Sequence, residues 1–155
     1  MNQSFFDGIL VELAAYLASN RVVRVDDGGR HAEAISQAFP IGINRIDWGK
    51  VPSAIFSSVA DVKEPEARQQ RMRQFLRDAF SSASVGEEDR VVWVGDSTDF
   101  VLEMSVVTLS ECVGILFSYP QHAYVIPPDA SWCLSLTMEG ELCFGRTPTK
   151  RHRGK

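Results

Sequence analysis

The chain has 155 residues, 45% hydrophobic and 23% charged, with 16 basic against 20 acidic side chains and a formal net charge of −4. That length fits one domain able to bury about two-thirds of its unfolded surface without metal or disulfide support, and the composition excludes a disordered chain. No apolar run approaches the ~20 residues that span a bilayer.

The opening MNQSFFDGILVELAAYLASN predicts a helix: Phe5, Ile9, Leu13 and Leu17 recur every four residues, and Phe6, Leu10 and Tyr16 widen the stripe. Ser4 followed by Asp7 fits a capping box, and Asn20 is the expected stop. Asp7 and Glu12 interrupt the apolar pattern and no basic residue precedes Arg21, so the segment does not read as a signal peptide; a cytoplasmic protein is expected. RVVRV is a short alternating strand ended by the turn Asp27-Gly28-Gly29, which lacks the surroundings of a phosphate loop. HAEAISQAF predicts a short helix closed by Pro40. PIGINRIDWGKVPSAIF reads mostly as loop, with Trp48 either completing the core, the favoured reading, or serving as an aromatic anchor for a partner.

A longer helix is predicted from Glu64 to about Phe80, with Pro65 in its first position and Met72, Phe75, Leu76, Ala79 and Phe80 buried. Arg68, Arg71, Arg73 and Arg77 line its remainder, read as a solvated face paired with nearby acids rather than a nucleic-acid surface. RVVWVGD predicts a central strand, and DFVLEMS pairs back onto it through a Ser97-Thr98 turn. Val106–Phe117 is expected to be a helix capped by Ser105 and stopped by Pro120, and HAYVIP a further strand.

SWCLSLTMEGELCFG forms a hairpin whose register follows from its apolar residues. A three-residue loop, Met138-Glu139-Gly140, sets Leu136 opposite Leu142 and Leu134 opposite Phe144 on one face. It also places Gly140 where the turn needs a positive φ. Met138, Glu139 and Glu141 then lie outside the core, and Trp132 shares the face of Leu134. The expected architecture is therefore an α+β domain over residues 1–147. A mostly antiparallel sheet from the C-terminal half packs against three to four helices, and residues 148–155 form a disordered basic tail. With the four basic residues of the tail set aside (Lys150, Arg151, Arg153, Lys155), 16 − 4 leaves 12 basic against 20 acidic residues, a net of −8 for the body.

Catalytic parts do not assemble from these motifs. Cys112, Cys133 and Cys143 are odd in number, lack CxxC spacing and read as buried thiols. No spacing matches a metal site, so neither metal nor cofactor is expected, and no nucleophile elbow exists. The alternative enzyme reading uses His122 with Asp96 or Asp99. An alternative RNA-binding reading uses Arg68, Arg71, Arg73, Arg77 and the tail. The acidic residues at two turns, Asp96 and Asp99, then Glu139 and Glu141, instead suggest a surface complementary to a basic protein.

GDSTDFVLEMS (95–105) and YPQHAYVIPPDASWCLSLTMEGELCFG (119–145), about the last third of the chain, carry a resemblance. Through Asp96, Thr98, Asp99, Phe100 and Glu103, then Pro120, Gln121, His122 and Tyr124, and finally Ser131, Trp132, Cys133, Thr137, Met138, Glu139, Gly140, Phe144 and Gly145, the chain resembles a group of small bacterial proteins. That group includes immunity proteins of contact-dependent inhibition and related polymorphic toxin systems. The resemblance implies a non-enzymatic protein that binds one-to-one and neutralises a cognate toxin domain made beside it, such toxins being frequently nucleases with basic clefts. It carries no contact residues across. Charge and turn position nominate Asp96, Asp99, Glu139 and Glu141 for toxin binding, with Trp48 as an aromatic anchor; neither membrane nor nucleic acid is an expected partner.

Overall fold

The computed structural model describes residues 3–27, 29–42, 45–96, 98–118 and 121–148, with backbone only for residues 3–6. The N-terminal stripe forms two short helices, α1 (Gln3–Glu12) and α2 (Ala14–Ala18), which meet at Leu13 where φ −94° and ψ 11° break the regular helix. Ile9 and Leu13 are both fully buried, so the break does not turn the stripe away from the core. The helix starts one residue before Ser4, whose side chain lies outside the described residues. Asn20 is the stop: it takes a left-handed φ of 61°, and the Arg21 amide returns to the Tyr16 carbonyl at 2.9 Å.

Strand β1 (Val22–Val25) leads through Asp26 and Asp27 into α3 (Arg30–Ala38); Gly28, in the expected turn, lies outside the described residues. The Asp27 carboxylate accepts the amide protons of Gly29 and His31 at 3.0 Å each, satisfying donors that the first turn leaves free. Phe39 turns extended ahead of Pro40 and ends the helix. The next segment is loop with one 3-10 turn (Trp48–Lys50), as expected, but it also contributes an edge strand, β2 (Ile55–Ser58).

Helix α4 (Pro65–Ser82) begins with the Glu64 side chain accepting the Ala67 amide at 2.9 Å. Then come β3 (Arg90–Gly95), β4 (Val101–Ser105) and α5 (Val106–Leu116), whose cap is Ser105, its hydroxyl accepting from the Thr108 amide. Ser97 and Pro120, the expected turn and stop residues, lie outside the described residues. Strands β5 (Ala123–Ile126), β6 (Trp132–Leu136) and β7 (Glu141–Arg146) complete an α+β fold. The sheet has the order β1-β4-β3-β5-β6-β7-β2, every pair antiparallel.

The β6–β7 register pairs Leu136 with Leu142 and Leu134 with Phe144, as the apolar pattern requires. Gly140 adopts φ +89°, and a Cβ there would stand 3.0 Å from the Ala60 backbone nitrogen, so both conformation and space call for glycine.

Both sheet faces are buried, which is why β3, β5 and β6 read as nearly continuous apolar runs. One face carries the larger core, where α1, α2, α4 and α5 cover Trp93, Leu102, Met104, Val125 and Leu134. Phe80, Trp132 and Phe144 form a ring cluster there, with centroids 5.1 to 6.2 Å apart. On the other face, Ile35 of α3 and Phe39 just past its end, with Ile46, Trp48 and Val51, cover Val92, Val94, Val101, Tyr124, Ile126, Cys133 and Cys143. Gly145 makes room for this layer: a Cβ there would meet Val51 at 2.7 Å and the Trp48 ring at 3.1 Å. Among the described residues no helix is long and apolar enough to cross a membrane.

Candidate functional site

The strand pairings gather several distant turns at one end of the sheet. Gly95 pairs with Ala123, Ala123 with Leu136, and Leu136 with Leu142, so the β3–β4 turn, His122 and the β6–β7 turn all lie at that end. Val25 opposite Val101 adds Asp26 and Asp27, and Ser58 opposite Glu141 adds Asp61. Asp96, Asp99, Glu139 and Glu141 therefore share one end, and all four are exposed.

They do not form a single cluster. Asp96 and Asp99 line a cleft of about 490 Å³ between α3 and the end of the sheet face that it covers. Glu141 lines a neighbouring cleft of about 750 Å³ beside β2 and β7. Arg45 and Ile46 line both, so the loop after α3 is the wall between them. Arg45 reaches Glu139 Oε1 at 3.2 Å, tying this wall to the hairpin tip. The Glu139 carboxyl is held below the usual range by its own backbone amide and the Thr137 hydroxyl, with Arg45 adding to both.

His122 has a definite task. Its Nδ1 accepts the Met138 amide proton at 3.1 Å, and its carbonyl accepts from the Asp96 amide at 3.0 Å. The ring thus supports the hairpin turn, and the nitrogen that a general base would use as its acceptor is engaged. His31 and Asp27 form a second close contact, Nδ1 to Oδ2 at 2.5 Å, with both side chains largely buried. Burial pushes the Asp27 carboxyl up, but hydrogen bonds from the His31 ring, the His31 amide and the Gly29 amide outweigh it and hold the carboxyl below its ordinary range. Tyr124, on the floor of the smaller cleft, has its hydroxyl pushed up to about 12 by burial, with Cys133 and Asp96 adding and Arg45 opposing. Burial likewise lifts Cys112 and Cys143 to about 11 and Cys133 well above its ordinary value, leaving protonated, unreactive thiols. Among the described residues no three His, Cys, Asp or Glu side chains come together as metal ligands.

Trp48, nominated as an aromatic anchor, lies in the core, the reading the sequence favours. It is 9% exposed, packs 6.0 Å from the Phe39 ring and donates through Nε1 to Ser135 Oγ at 3.0 Å. Large apolar side chains near the acidic end that do face solvent include Phe56, 61% exposed on β2, Met138, 60% exposed at the hairpin tip, and Ile41, 45% exposed beside Asp96 and Asp99 in the smaller cleft. The pattern IFSS holds no strong strand signal, so Phe56 is hidden within a predicted loop.

The α4 arginines turn inward to their own chain. Arg68 donates to the Val59 and Val62 carbonyls, Arg71 to Ser58, Arg73 to Ser110, and Arg77 to the Gln74 side chain. Acidic pairing, the expected role, is confined to a long 3.9 Å contact between Arg71 and Asp61 among the described residues. Arg68, Arg71 and Arg73 tie α4 to the end of β2, to the segment after it and to α5, while Arg77 bonds within α4.

No protein-family model and no curated protein matches the chain.

Proposed function

We propose that the protein is a cytoplasmic bacterial immunity protein that binds one-to-one to a cognate toxin domain, a nuclease with a basic active site, and occludes it without catalysis. The observation that carries this reading is the convergence of Asp96, Asp99, Glu139 and Glu141, exposed, at one end of a sheet whose pairings bring together turns about forty residues apart. A surface of one sign steers a partner of the other sign and fixes its orientation. Phe56 and Met138 border that surface and supply the apolar area that polar contacts alone do not, Phe56 taking the anchor role that the sequence suggests for Trp48. The resemblance of the last third to immunity proteins supplies the partner class.

The test is co-expression with the C-terminal domain of the toxin encoded beside the chain. The reading expects a one-to-one complex on purification and loss of the domain's toxicity. A toxin domain that neither co-purifies nor is neutralised would overturn it.

A further inference from the structure

Strand β2 ends the sheet: among the described residues, β7 pairs with one of its edges and no strand with the other. The Val59 amide donates to the Gly140 carbonyl at 2.8 Å, in step with the β2–β7 register. Antiparallel bonding alternates, so Ile55 and Ser57 also turn their backbone groups toward β7, while those of Phe56 and Ser58 point outward. Arg71 Nη1 already donates to the Ser58 carbonyl at 2.8 Å. Phe56 is then the residue of β2 that offers both an amide and a carbonyl to a further strand. Its ring is 61% exposed, and IFSS carries neither the charge nor the proline that commonly guards an edge. The opposite edge strand, β1, does carry an exposed charge, Arg24.

We infer that β2 pairs with β2 of a second copy of the chain, antiparallel about a two-fold axis between the two Phe56 residues. The bonding fixes that centre, because a two-fold antiparallel pair exchanges both of its central bonds between like residues, which needs a free amide and a free carbonyl on one residue. The two exposed rings then lie directly opposite each other on one face, a favourable aromatic pair. The other face is self-complementary in charge. There Arg71, Gln74 and Asp78 of α4 line a further cleft of about 340 Å³ beside β2. Helix α4 runs antiparallel to β2, with Arg71 at the Ser58 end, while the Ser82 carbonyl accepts from Arg146, beyond the Ile55–Phe144 pair. The two-fold exchanges these ends and brings Arg71 of each copy toward Asp78 of the other. Within its own chain Arg71 has only the long 3.9 Å contact to Asp61 as an acidic partner, and Asp78 accepts from the neutral Gln74 amide at 2.9 Å. A four-residue edge buries less than the ~800 Å² per partner of a standard stable interface, so the dimer is weak and reversible. Toxin bound over Phe56 displaces the second copy, which keeps the proposed complex one-to-one.

Sedimentation equilibrium of the full chain alone, from micromolar to millimolar concentration, tests the pairing and gives an answer independent of the immunity reading. A reversible monomer–dimer equilibrium is expected. Phe56→Pro removes the outward amide proton and the ring but no bond to β7, and should weaken dimerisation about tenfold or more. Phe56→Ala, which keeps the amide, should weaken it less. Arg71→Asp and Asp78→Arg, each shown to be folded by circular dichroism, should both weaken self-association. An equimolar mixture of these two variants should restore it, since each charge then meets its opposite across the seam. A chain that stays monomeric throughout overturns the pairing, as does a dimer that survives Phe56→Pro unchanged or fails to re-form in the mixture.

Discussion

His122 Nδ1 accepts the amide proton of Met138 at 3.1 Å, joining the entry to β5 to the hairpin tip that carries Glu139 and Glu141. With Nδ1 as acceptor, the neutral imidazole carries its proton on Nε2. The histidine is therefore a support for an acidic turn. His122→Ala should cost about 1 kcal/mol, the ordinary net worth of a hydrogen bond, and accelerate hydrogen exchange at the Met138 amide. His122→Asn, which keeps an acceptor close to the Nδ1 position, should restore most of both. Slow exchange in the alanine variant would show that the bond does not hold the turn.

Trp48 and Phe56 should separate stability from binding. Trp48→Phe removes the indole donor to Ser135, a hydroxyl in a fully buried strand position, and should destabilise by about 1–3 kcal/mol while leaving toxin affinity unchanged. Phe56→Ala truncates an exposed ring, so it should leave the unfolding midpoint nearly unchanged and weaken the complex by about tenfold or more, as loss of an aromatic hot spot does. Denaturant unfolding and calorimetric binding on both variants check the pair. A reversed pattern would return the anchor role to Trp48.

Gly140→Ala imposes a side chain on a residue at φ +89° whose Cβ would press on the Ala60 backbone. Left-handed geometry alone costs a non-glycine residue about 1–2 kcal/mol, and backbone has little room to give. Chemical denaturation should show a loss of at least that size. A neutral substitution would mean that the turn relaxes into another type.

The local features of the fold were readable because each had a local cause. Leu134, Leu136, Leu142 and Phe144 admit one hairpin register with a single apolar face, and that register is present. Pro65, Ser105 and Asn20 marked helix ends through the backbone chemistry of those residues. What escaped had non-local causes. Strand β2, with two serines in four residues, is a strand because β7 offers it an edge. Arg45 meets Glu139 across 94 positions, and Trp48 meets Ser135 across 87, so neither pairing leaves a trace in periodicity. The α4 arginines read as a solvated face paired with acids because sequence does not reveal which backbone carbonyls a folded neighbour presents. Candidate carboxylates could be named from turn position, but their division between two clefts follows from the loop wall around Arg45, which only the tertiary structure supplies.

Asp27 gives the chain an acid-sensitive contact. Its carboxyl is held below the ordinary range in the folded state, so the stability it contributes is fully present above the unfolded value, about pH 4, and is lost as pH falls through the lower folded value. Asp27→Asn should be less stable than wild type at neutral pH, and the gap should narrow as pH drops below about 4. Unfolding curves at several acidic pH values check this. A gap that widens toward low pH would contradict the assigned direction.

The most direct measurement is the affinity of the cognate toxin domain for the wild-type chain and for a variant carrying Asp96→Lys, Asp99→Lys, Glu139→Lys and Glu141→Lys, each at low and high salt. An acidic docking surface predicts tight, salt-sensitive binding by the wild type. The variant, shown to be folded by its circular dichroism, should bind far more weakly at low salt, the two converging as salt screens both. Equal affinity of the two chains at low salt would place the interface elsewhere on the molecule.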